Sequence, residues 1–147
     1  MKMRKLVPLT VATLAAAFAL TGCTVTGPTE NFSGLPDEEH IITESEGGED
    51  SGLQAFWLHE GSQIGVAISG SSTCPVIGSK ITVVEPEADG EGEGNVVEIA
   101  TVPLSDDQPC TMDFVPHTSV FWTPDSVTTT EPLTVRVGDQ EVELPIK

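Results

Sequence analysis

Five carboxylates fall within nine residues of this sequence: Glu85, Glu87, Asp89, Glu91 and Glu93 alternate with Pro, Ala and Gly through the segment EPEADGEGEG. Hard cations such as calcium take oxygen sets of this kind, and Asp89, Glu91 and Glu93 are the candidate ligands. The spacing is not that of an EF-hand, which needs acids at its first and third positions and a closing Glu at the twelfth. The segment therefore reads first as a solvated hairpin loop and second as a calcium site. Other reactive side chains are few. The histidines are His40, His59 and His117, and Ser71, Ser72 and Thr73 precede Cys74 outside any Gly-x-Ser-x-Gly elbow. The chain has no phosphate-cradling loop ending in Lys and no Cys-x-x-Cys pair. Nothing here asks for a cofactor or marks a catalytic centre, so the expectation is a protein that is not an enzyme. A small hydrolase or inhibitor acting through His59 or His117 is the third reading. With Trp57 and Trp122 as the two Trp residues and no Tyr, the aromatic platform of a sugar groove is missing. A core position is the commoner fate of Trp in a β-sandwich.

Charge narrows the partners. The chain has 147 residues and a formal net charge of −17, and half of its six basic side chains, Lys2, Arg4 and Lys5, lie in the first five positions. Nucleic acid is excluded as a partner, because phosphate binding draws on a basic surface that this composition does not supply.

The elements that must position these side chains begin at Leu53, where short apolar runs of period two alternate with Gly and Pro. Strands are expected near Gln54 to His59, Gln63 to Ser69, Lys80 to Val84, Asn95 to Val102, Thr111 to Val115, Ser119 to Trp122, Leu133 to Val137 and Glu141 to Ile146. The last pair is clearest. Leu133, Val135 and Val137 alternate with Thr134 and Arg136, and Gly138-Asp139 leads into Val142, Leu144 and Ile146. This pattern is a hairpin. The expected fold is all-β, a small antiparallel, Ig-like sandwich over residues 53–147. Ahead of it, residues 23–52 carry eight acids, no Lys or Arg and few apolar side chains. That composition predicts a disordered acidic linker.

The first 22 residues read as a signal peptide: a basic MKMRK start, then the apolar run Leu6 to Leu20, too short for a comfortable membrane span. Leu20-Thr21-Gly22-Cys23 resembles the lipobox of bacterial lipoproteins, an aliphatic residue and two small ones before the cysteine that receives the lipid. The resemblance implies a diacylglyceryl thioether on Cys23 and cleavage before it, with two or three acyl chains on that one residue, enough for stable anchoring. The expected location is the outer, extracytoplasmic face of the cell membrane. With Cys23 lipidated, Cys74 and Cys110 remain as an even pair in an oxidising compartment, and a disulfide is the simplest outcome. Cys110, Met112 and Phe114 would share one face of their expected strand, so the sulfur would meet Cys74 inside the sandwich. The rival is a metal thiolate with Cys110, Met112 and His117. The ligand order disfavours copper, because blue-copper sites place the Met after the His.

GSSTCP at Gly70 to Pro75, CTMDFVPHT at Cys110 to Thr118 and the closing PLTVRVGDQEVELP at Pro132 to Pro145 resemble a group of small actinobacterial lipoproteins. The resemblance implies export, the disulfide and a β-rich domain, and brings no activity. The resulting expectation is a lipid-anchored envelope protein whose domain meets another envelope protein or a cell-wall component. The alternative is an extracellular module binding calcium or a small ligand.

Overall fold

The computed structural model describes residues 25–45, 52–84 and 95–147. The signal peptide, Cys23 and the acidic segment with Asp89, Glu91 and Glu93 lie outside the described residues. Among the described residues there are nine strands: β1 (Glu30–Ser33), β2 (Ile41–Glu44), β3 (Leu53–Leu58), β4 (Gln63–Gly70), β5 (Gly78–Val84), β6 (Val96–Thr101), β7 (Val115–Trp122), β8 (Leu133–Val137) and β9 (Gln140–Leu144). They form a five-stranded sheet in the order β1-β7-β4-β3-β2 and a four-stranded sheet in the order β5-β6-β8-β9. The two pack face to face as the expected sandwich. One pairing departs from the antiparallel pattern, since β6 and β8 run parallel.

Alternation explains the core. Leu53, Ala55 and Trp57 of β3 and Ile64, Val66 and Ile68 of β4 point inward, onto Val97 and Ile99 of β6, Leu133 and Val135 of β8 and Leu144 of β9. Trp57 is fully buried and donates its indole N–H to the Pro145 carbonyl at 2.8 Å, so its polar atom is satisfied. The β8–β9 hairpin follows the sequence closely, with Gly138 at φ 58° in its turn. Asn95, also in the left-handed region at φ 59°, holds the loop ahead of β8: its amide donates to the Thr128 and Pro132 carbonyls at 2.9 and 3.0 Å and accepts from the Thr128 N–H at 3.0 Å.

Two expectations fail here. The stretch read as a disordered linker is, over residues 25–45, part of the fold. Thr26 offers its carbonyl to the Ile81 N–H of edge strand β5 at 2.8 Å, and β1 then pairs with β7 from Glu30↔Val120 to Ser33↔His117. The same few residues thus hold both sheets. Because β1 and β2 are opposite edges of one sheet, residues 34–40 must cross β7, β4 and β3. At ~4.8 Å per strand that is a span of about 19 Å, which the segment covers even with the 3-10 turn Glu38–His40 at its end. This strap lies over a second apolar cluster on the outer face, Phe56, Leu58, Ala67 and Val120, joined by Phe32 and Ile41. Gly65 makes room for the cluster: a side chain there would put its Cβ 3.0 Å from Leu58 Cδ1.

The strand expected over Thr111 to Val115 does not form. Residues 102–114 are a loop, and β7 starts at Val115. Met112 is fully exposed, so the alternation of Cys110, Met112 and Phe114 has no buried face to serve.

Candidate functional site

β7 runs the length of the sandwich, and its two ends carry different surfaces. Its eight residues span roughly 23 Å. At the Val115 end, Cys74 and Cys110 form the expected disulfide, with Cα atoms 5.5 Å apart. Its position corrects the expectation of a buried bridge inside the sandwich: it ties the loop after β4 to the loop before β7, and only the Cys74 side is buried. A sulfur held in a disulfide has no thiolate to give a metal, which removes the Cys110–His117 copper alternative.

A polar cluster reinforces this staple. The Thr111 hydroxyl lies 2.8 Å from Ser71 Oγ and 3.3 Å from both Ser72 Oγ and Thr73 Oγ1, and the Thr111 N–H donates to Thr73 Oγ1 at 3.0 Å. Asp113 Oδ1 accepts from the Ser72 N–H at 3.1 Å and from the Thr111 hydroxyl. The Ser72 and Thr111 side chains, with the Ser72 amide, lower the Asp113 pKa to about 2. The loop so fixed exposes apolar side chains: Val102, Leu104, Met112, Phe114 and Val115 all face solvent to a large extent. Phe114, 64% exposed, rests its ring edge over Gly52, where an added Cβ would sit 2.8 Å from Cζ. Apolar side chains on a covalently fixed loop would have little ordering entropy left to lose on binding.

At the other end of β7, Trp122 is half exposed. This corrects the expectation of two core Trp residues. Trp122 forms one wall of an open groove of about 700 Å³ that also includes Val25, Lys80, Val83, Pro124 and Asp125. Val25 stands two residues after Cys23 in the chain.

The chain matches no family model, no curated protein and no solved structure. Among the described residues, no helix is long and apolar enough to cross a membrane.

The histidines separate into two environments. His117 lies on β7 between Ser33 and Ile68, and its Nε2 is buried without a hydrogen-bond partner. Burial lowers its pKa below the usual 6.5. His40 and His59, 19 residues apart in sequence, are in ring contact with centroids 4.7 Å apart. One is expected in a linker and the other in a strand, and the pairing of β2 with β3 joins them. The signal available was Ile41-Ile42-Thr43, a short β-branched run directly after His40.

Proposed function

We propose that this chain is a lipid-anchored envelope protein, attached at Cys23 on the extracytoplasmic face, whose non-enzymatic sandwich presents the disulfide-fixed loop 102–115 to another envelope component. The observation that carries the reading is the exposure of Leu104, Met112 and Phe114 on a loop held by the Cys74–Cys110 bridge. The geometry of the N-terminal segment supports the same orientation. β1 runs antiparallel to β7, so the chain enters the fold at the Trp122 end and the apolar loop lies at the far end. Only Thr24 and Val25 separate Cys23 from Thr26, whose carbonyl is already tied to β5, a reach of about 11 Å at full extension. An acyl-anchored Cys23 would therefore hold the Trp122 groove close to the bilayer, where Trp and Lys are favoured at the interface. The domain itself sets the distance from the membrane to the contact surface.

Two measurements test this. Replacing Cys23 with Ala should abolish incorporation of labelled fatty acid and move the protein out of the membrane fraction; unchanged labelling overturns the anchor. A photo-cross-linking residue at Met112 or Phe114 in the intact envelope should give a discrete adduct that the same residue at Asp139 does not. Identical patterns from both positions overturn the assignment of the loop as the contact surface.

A further inference from the structure

The β2–β3 register sets Ile41 opposite Leu58. The residues flanking that pair, His40 and His59, end and begin two short 3-10 turns, Glu38–His40 and His59–Gly61, and their rings meet at 4.7 Å with planes tilted by 41°. The turn that ends at His40 brings two carboxylates to the same place. One ligand atom from each of Asp37, Glu39 and His40 lies within 4.8 Å of the other two, and His40 Nε2 is 3.8 Å from Glu39 Oε1. We propose that Asp37, Glu39 and His40, joined by His59 through rotation of its exposed ring, bind a zinc ion, which would fasten the N-terminal strap to the sheet it crosses.

The donor set selects the metal class. Zinc takes nitrogen and oxygen ligands at about 2.0–2.2 Å in a tetrahedron, for which donor atoms stand roughly 3.4 Å apart. The donor atoms of Asp37, Glu39 and His40, within 4.8 Å of one another and 3.8 Å apart for the His40–Glu39 pair, reach that spacing by rotation of side chains that face solvent. Two imidazoles favour a borderline transition cation over calcium or magnesium, which prefer oxygen alone. The two rings line an open cleft of about 600 Å³ that also includes Glu30 and Gln63, giving an ion a route in. The surrounding field favours cations, given a net charge of −17 and the further acids Glu38 and Glu60 within the two turns. The backbone is committed to the arrangement as well: His59 and Glu60 both adopt positive φ, 47° and 60°, where non-glycine residues are uncommon.

The test is a calorimetric titration of zinc chloride into the full-length chain in detergent micelles, with histidine ring resonances followed in parallel. One equivalent should bind, shifting the ring signals of two histidines and leaving the third unmoved. His40→Ala and His59→Ala should each weaken binding by about tenfold or more, with melting curves confirming that each variant is folded. Cys23→Ser and a variant with Asp89, Glu91 and Glu93 neutralised together should bind zinc as the wild type does. Undiminished binding by the double His40→Ala, His59→Ala variant overturns the site, as does loss of all binding on neutralising Asp89, Glu91 and Glu93. Displacement of zinc by an equal concentration of calcium overturns the role given to the imidazoles.

Discussion

The two faces of the five-stranded sheet are buried by different means. On the inner face, Trp57, Ile64, Val66 and Phe121 press against a second sheet whose own side chains interlock with them. On the outer face, Phe56, Leu58, Ala67 and Val120 are as well hidden, yet their cover is one crossing strap with Phe32 and Ile41 beside it. The inner contact cannot open without separating both sheets, so its loss is global unfolding. The outer contact can open by lifting residues 25–45 while the sandwich persists, which is local unfolding at lower free energy. Equal burial therefore does not mean equal stability.

The largest perturbation expected is on the inner face. Trp57→Ala should lower the unfolding free energy by about 3–5 kcal/mol, through lost burial and the cavity left behind, as measured by denaturant titration. Next is the bridge that holds the apolar loop. Cys74→Ser with Cys110→Ser should cost about 2–4 kcal/mol, since closing a loop of 36 residues restricts the unfolded chain. Phe32→Ala on the outer face should cost only about 1–2 kcal/mol because that ring is half-buried. It should also accelerate hydrogen exchange at the Thr29, Gly34 and Ile81 amides well before the β8–β9 amides respond. Simultaneous acceleration at both sets would show that the strap and the sandwich open as one unit.

The smallest effects expected are electrostatic. His117 is held neutral by burial, so the stability it contributes is complete above pH 6.5 and is lost as the pH falls below that value. The melting temperature should decline from pH 7 to 5 in the wild type and less so in His117→Gln. Asp113 acts lower: its depressed pKa makes the loop cluster complete above pH 3.8 and loosens it as the pH approaches about 2.

Legibility in the sequence followed the same division. β3, β4, β8 and β9 could be read because each presents alternate apolar residues to a buried face, as Leu133, Val135 and Val137 do. β1, with the sequence ENFS, offers only Phe32 to the interior and exposes its other three residues. An edge strand of this kind is held by backbone hydrogen bonds to a neighbour, which composition does not reveal. The false strand at Thr111 to Val115 is the converse case. Its alternation is real, but the disulfide and the Ser72–Thr111–Asp113 cluster fix that segment as a loop, and its apolar residues face solvent. The disulfide followed from cysteine count and compartment, whereas its place at one end of the sandwich depended on topology. The meeting of His40 and His59 depended on β2, a strand whose burial pattern leaves every second residue exposed.

The pairing of β1 with β7 also sets an order of events. Thr29 bonds to Val120, a partner 91 residues later in the chain. At synthesis rates of about 5–20 residues per second, the first strand emerges roughly 5–20 s before its partner exists. Through that interval Phe32 and Ile41 have no cluster to join, and contacts this distant in sequence are slow to close even afterwards. The N-terminal end of the fold is thus the first segment made and the last one settled.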